Sequence, residues 1–105
     1  MEIIIQGRHL NITEAIKDYV KKKALKFDKY SNKIRKIQFT LKVEGQNNIV
    51  ESVCSIAKST IVAEAINADM YAAIDLVVDK LEKQFVRQKE KLKHHKRKKE
   101  GEAIE

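Results

Sequence analysis

Apolar residues recur along this chain with two different periods, and the changes of period divide it into six elements. Residues 2–8 hold the β-branched run Ile3, Ile4 and Ile5, which suits a strand covered on at least one face. Gly7 permits a bend before His9. Helical spacing follows: Ile12, Ile16, Tyr19, Val20, Ala24 and Phe27 form one stripe, with Tyr30 near its end, predicting a helix to about residue 30. Of the two candidate caps, Asn11 and Thr13, the second is preferred, because Glu14 then sits in the first turn, where the helix dipole favours a carboxylate. Ser31, Asn32 and Lys33 break the pattern.

Residues 34–44 alternate strictly, with Ile37, Phe39, Leu41 and Val43 on one face and Lys36, Gln38, Thr40 and Lys42 on the other. Gly45 and the polar residues to Asn48 supply turn chemistry. Strands are predicted over 49–57 and 61–66, joined through Lys58, Ser59 and Thr60. In the last of them Ala63 and Ala65 alternate with Val62, Glu64 and Ile66, and small inward residues let a helix approach closely. The opposite sheet face then bears Ile4, Ile49, Val53, Val62 and Ile66, a modest apolar patch partly covered by neighbouring side chains.

Residues 69–99 contain neither Gly nor Pro and open on Asp69, a suitable N-cap. Met70, Ile74, Val77, Val78, Leu81, Phe85 and Leu92 share one face of this helix, with Tyr71 at its border. The order strand, helix, three strands, helix gives an α+β class, β-α-β-β-β-α. The expected architecture is a four-stranded mixed sheet, its first two strands parallel and the rest antiparallel, with two helices packed on one face. A strand of eight residues covers roughly 27 Å and a thirty-residue helix about 45 Å, so the carboxyl end of the last helix overhangs. Residues 1–95 are expected to form a single domain and 96–105 a charged extension. Residues 89–99 have little but Leu92 to bury, and like charges fray them unless an anion is bound, with Gly101 ending the helix.

Charge sharpens the picture. The chain carries 22 Lys and Arg against 15 Asp and Glu, a net +7. Residues 1–88 hold 15 basic and 11 acidic side chains, residues 89–99 seven and one, and residues 100–105 three acidic ones, so the excess gathers near the carboxyl end. On the last helix Lys80, Lys83, Arg87, Lys91, His94 and Lys98 form a row, roughly 27 Å from Lys80 to Lys98, while Asp75, Asp79 and Glu82 keep to one flank. A solubility surface mixes the signs; this sorting leaves cations unpaired for a polyanion. On the first helix Lys22, Lys26 and Lys29 align on one flank, and Lys23 lies close to the apolar side, where its methylenes can pack. The two basic flanks are expected to merge into one groove or ridge.

Other chemistries fit poorly. No apolar run approaches the roughly 20 residues a bilayer needs, and the apolar face of the last helix is required by the core, so no membrane partner is expected. The amino terminus has no secretory signal, and the single cysteine, Cys54, fits a reducing compartment; the cytoplasm is expected. Cys54 lies inside a strand with no His or Asp near it in sequence, so it reads as a structural thiol. His94 and His95 diverge by about 100° around a helix and cannot chelate as a simple pair, and His9 stands alone. With no Gly-rich phosphate loop and no HExxH spacing, neither catalytic residues, a metal, a cofactor nor a small-molecule substrate is expected.

The run DMYAAID at residues 69–75, with DKLEKQ at 79–84 and KEKLKHH at 89–95, resembles the ribosome hibernation-promoting factor family, including the YfiA-type ribosome-associated inhibitors. The resemblance takes in the first strand and NITEAIKDYVKKK at 11–23, and so extends over approximately residues 1–95. It implies binding in the decoding region of the small ribosomal subunit, where messenger and transfer RNA would otherwise sit, and silencing of translation in stress or stationary phase. It also implies that basic surfaces of both helices face ribosomal RNA. The matching positions are Lys22, Lys23, Lys26, Lys80, Lys83, Arg87 and Lys91, and Lys29 joins them by alignment on the same flank. The chain resembles a short form, without the further domain that long members use to pair ribosomes, though KRKKEGEAIE continues past the usual short ending. A protein that is monomeric off the ribosome is expected. The alternatives are a general double-stranded RNA module and a protein-interaction module using the open sheet face.

Overall fold

The computed structural model describes residues 1–30 and 33–101, with side chains through residue 87. Ser31 and Asn32 of the expected break, and the tail beyond Gly101, lie outside the described residues. In chain order the elements are β1 (Glu2–Gly7), α1 (Glu14–Ala24), a 3-10 helix (Leu25–Tyr30), β2 (Ile34–Glu44), β3 (Asn47–Ile56), β4 (Ser59–Asn67) and α2 (Met70–Gly101). The four strands form one sheet in the order β1-β2-β3-β4. β1 runs parallel to β2, with Ile3 opposite Ile37 and Ile5 opposite Phe39, and the other neighbours are antiparallel. Both helices lie on the same face and share one core, as expected from their single apolar stripes.

Thr13 is the N-cap of α1: its hydroxyl accepts from the Ile16 N–H at 3.2 Å, with Glu14 in the first turn. The helix does not continue as α-helix to residue 30. From Leu25 it tightens into 3-10 geometry, and the reason lies in the spacing. Ala24, Phe27 and Tyr30 are three apart, a period that three residues per turn keeps on one face. Ala24 and Phe27 are accordingly fully buried, while Leu25 faces water.

The chain bends sharply after β1. A Cβ on Gly7 would meet the Leu10 carbonyl oxygen at 2.2 Å, so glycine is required by close approach, and the left-handed residue of this bend is His9, at φ 56°. In β2 the register shifts between Ile34 and Lys36, a bulge that turns Ile34 to the same buried side as Ile37, Phe39 and Leu41. Val43, expected on that face, is exposed at the strand's end. The β2–β3 connection is shorter than expected: Glu44 already pairs with Asn47, leaving a two-residue loop led by Gly45 at φ 62°.

One core fills the space between sheet and helices, with Phe27, Phe39, Ile37, Leu41, Ile74 and Leu81 among its fully buried side chains. Each contributes about 1.5–3 kcal/mol through burial. Phe85 meets Phe27 edge-on at 4.9 Å, tying α2 to the 3-10 helix. Under α2 the sheet presents Ser52, Ala63 and Ala65, and α2 answers with Ala73. These small residues allow a close approach, as the alternation in β4 predicts. Asp69 caps α2, its carboxylate accepting from the Tyr71 N–H at 3.3 Å. The length of α2 accounts for the elongated outline, 52 × 26 × 19 Å.

Candidate nucleic-acid interface

At about 100° per residue, Asp75, Asp79 and Glu82 lie on one side of α2, and the row of Lys80, Lys83 and Arg87 is centred roughly 100° around from them, with Lys83 nearest the acidic flank, about 40° from Asp79. The core sets which side faces what. With Ile74, Val77, Val78, Leu81 and Phe85 pinned to the sheet, the acidic flank turns toward α1 and the basic row toward solvent and the β4 edge. This rotation decides the electrostatics of the surface.

The acidic flank engages α1 directly. Lys23 Nζ lies 3.5 Å from Asp75, Lys26 Nζ 3.1 Å from Glu82 and 3.8 Å from Asp79, and Lys29 Nζ 3.8 Å from Glu82. The expectation that the cations stand unpaired therefore fails for these three lysines, and the two basic flanks do not merge, because a row of carboxylates lies between them. The Tyr19 hydroxyl donates to Asp75 at 2.7 Å, and the Tyr71 ring meets the Tyr19 ring edge-on at 4.9 Å. The hydrogen bond to Asp75 holds the Tyr19 phenol above its ordinary pKa, and the charge of Asp75 holds Lys23 above its own.

The basic row of α2 differs. Among the described residues, no carboxylate comes within 4 Å of Lys22, Lys80, Lys83 or Arg87. Lys80 Nζ instead donates to the backbone carbonyl of Glu64 at 2.6 Å, and Gln84 Nε2 donates to that of Val62 at 2.8 Å. Lys80, Lys83, Gln84 and Arg87 line a shallow hollow of about 350 Å³ against Val62 and Glu64 of β4. Lys83 and Arg87 also line a second hollow with Glu82 and Val86. The side chains of Lys91, His94 and Lys98, which continue the row in sequence, and of Leu92 lie outside the described residues.

The sequence did not point to Gln84 as a partner of this surface, although it stands four residues after Lys80; its role depends on β4 being an edge strand. Cys54 is buried, and burial pushes its thiol up to about 11, which suits a structural role. Among the described residues, no three His, Cys, Asp or Glu side chains gather in a way that could hold a metal ion. No helix there is long and apolar enough to cross a membrane.

A mixed sheet covered on one face by two helices, the second bearing an outward cationic row, has clear relatives. The chain is 37% identical over 95 residues to the ribosome hibernation promoting factor of Escherichia coli K12, covering 90% of this chain and all of that one. It is 36% identical over 91 residues to the factor of the same name from Azotobacter vinelandii, covering 87% and 85%. Among solved structures, the Thermus thermophilus Protein Y N-terminal domain superposes with a TM-score of 0.76 at 38% identity, covering 83% of this chain and 98% of that one. A ribosomal subunit interface protein from Coxiella burnetii superposes with a TM-score of 0.81 at 29% identity, covering 85% and 98%. Residues 3–93 match the family described as Sigma 54 modulation protein / S30EA ribosomal protein, and the chain belongs to that family, the one that includes the ribosome hibernation promoting factors.

Proposed function

We propose that this protein is a cytoplasmic, non-catalytic ribosome hibernation factor that binds the small ribosomal subunit in its decoding region. There it occludes messenger and transfer RNA and silences translation in stress or stationary phase. The observation that carries this reading is the row of Lys80, Lys83 and Arg87 on the solvent side of α2, none of which has a carboxylate within 4 Å among the described residues. Cations held on a rigid helix displace counterions from folded RNA, and shape rather than base sequence selects the place. Lys22 on α1 is exposed and offers a further cation on the far side of the carboxylates, and Lys91 is assigned to the α2 row by sequence position. Lys23, Lys26 and Lys29 stand apart from this row, each held by a carboxylate of α2 that a phosphate would have to displace. The relatives named as ribosome hibernation promoting factors, matched over most of their length, support the same reading. Residues 1–95 would form the ribosome-binding domain and 96–105 its charged extension.

The test is co-sedimentation of purified protein with small ribosomal subunits, with and without excess RNA duplex of arbitrary sequence. The wild type should bind, weaken steeply with salt and resist the duplex. Lys83→Glu with Arg87→Glu should lose roughly a hundredfold or more in affinity at about 100 mM salt while keeping its fold. Normal association of that variant would show that another surface binds. Displacement by the duplex would indicate a general double-stranded RNA module instead.

A further inference from the structure

The seam between α1 and α2 is nearly neutral although basic side chains flank it on both sides. Three lysines of the first helical segment meet three carboxylates of α2, through contacts of 3.1 to 3.8 Å. Stability gives only part of the reason for the lower two-thirds of this row. Lys29 and Asp79 are each 61% exposed and their pairs contribute little to folding, whereas Lys26 and Glu82, 39% and 30% exposed and 3.1 Å apart, form the one tighter pair. Asp75 differs, because Tyr19 donates to it.

The consequence for RNA is direct. Binding of any phosphate backbone is driven by the number of cations that can release its counterions, whatever the sequence or shape. Lysines already neutralised by carboxylates are withdrawn from that count, and the carboxylates, Asp79 the more exposed of the two, repel a phosphate strand laid along the seam. A target that fits the outer cations by shape loses little by this. An arbitrary duplex, which depends on charge alone, loses most.

We propose that Asp79 and Glu82 are specificity-determining residues, holding Lys26 and Lys29 away from non-cognate RNA so that the protein discriminates by shape rather than by charge. The proposal rests on the reading above that the basic helix faces bind ribosomal RNA. Such a screen separates targets through a repulsive element built beside the attractive one.

The test compares the full chain with Asp79→Asn/Glu82→Gln, and with Glu2→Gln/Asp28→Asn as a control that changes net charge equally at exposed positions that make no ion pair among the described residues. Affinities for an arbitrary RNA duplex and for small ribosomal subunits are measured between about 50 and 200 mM salt. The seam variant should bind the duplex about tenfold more tightly than wild type, with a salt slope steeper by about one to two ions. The control should gain less than about threefold, and subunit affinity should move less than about threefold for both variants. The proposal is overturned if seam variant and control bind the duplex equally. It is also overturned if subunit and duplex affinities rise together, leaving their ratio unchanged. Should the double variant fold poorly, Glu82→Gln alone releases Lys29 and leaves Lys26 only its 3.8 Å contact with Asp79, and carries the same expectation at smaller size. A wild type that ignores subunits would defeat the functional reading, and the duplex comparison would still decide whether the carboxylates act as a screen.

Discussion

Tyr19 donates its phenolic hydrogen to Asp75 across the gap between α1 and α2, Oη to Oδ1, at 2.7 Å. Asp75 also lies 3.5 Å from Lys23 Nζ, and Tyr71 closes the cluster edge-on. One carboxylate thus sets the spacing of the two helices. Tyr19→Phe keeps the ring contact and removes the bond, and should lower Tm by a few degrees near pH 7. The hydrogen bond to Asp75 raises the phenol's pKa in the folded state, so its stabilisation is fully present below the ordinary value of about 10 and is lost as pH rises through the folded value. The gap in Tm between wild type and variant should therefore stay constant from about pH 7 to 9 and narrow above about 10. A gap independent of pH throughout would show that the bond is not formed in solution.

Gly7 and Gly45 are needed for different reasons, and substitution separates them. At Gly7 an added Cβ would strike the backbone carbonyl of Leu10, which cannot swing aside as a side chain could. Gly7→Ala should cost about 2–3 kcal/mol in urea unfolding. Around Gly45 there is open space but φ is 62°, so Gly45→Ala should cost about 1–2 kcal/mol and Gly45→Asn should recover most of it, since Asn tolerates the left-handed region. Equal costs for alanine and asparagine at position 45 would contradict this account.

Ser52 is fully buried on the core face of β3, and its hydroxyl has no hydrogen-bond partner among the described residues. A buried hydroxyl left unpaired costs about 1–3 kcal/mol, so Ser52→Ala should be neutral or stabilising by up to about 1 kcal/mol. The urea midpoint should rise with unchanged slope. A loss above about 1 kcal/mol would mean that the hydroxyl is partnered in solution.

The features legible in the sequence are those decided within a few residues. Thr13 and Asp69 cap helices because a short acceptor precedes an apolar stripe, and the alternation of β2 marks its inward face without knowledge of its neighbours. The 3-10 segment is not legible in the sequence, because Ala24, Phe27 and Tyr30 also continue an α-helical stripe and only packing separates the two geometries. Two other features depend on long-range placement. The bulge at Ile34 follows from pairing with β3, and the turning of Asp79 and Glu82 toward Lys26 follows from how the core rotates α2. Sorted charges on a helix show that its two flanks differ; only packing decides which of them faces the neighbouring helix.

The last strand raises the same question of placement. β4 is an edge strand, with Val62 and Ile66 exposed at 58% and 52% on its outer face, a combination prone to pairing with another chain. Its outward carbonyls at Val62 and Glu64 are occupied by Gln84 and Lys80, so α2 closes the edge that it flanks. Lys80 therefore serves two ends, capping a carbonyl and belonging to the cationic row, whereas Gln84 serves only the first. Gln84→Ala leaves the row intact and should promote self-association, and adding Lys80→Ala should strengthen it. Sedimentation equilibrium without RNA should show a mass that rises with concentration toward about 100 µM for the variants, and less or not at all for wild type. If the double variant sediments as a monomer over the whole range, the two side chains do not guard the edge, and twist or charge along β4 must suffice.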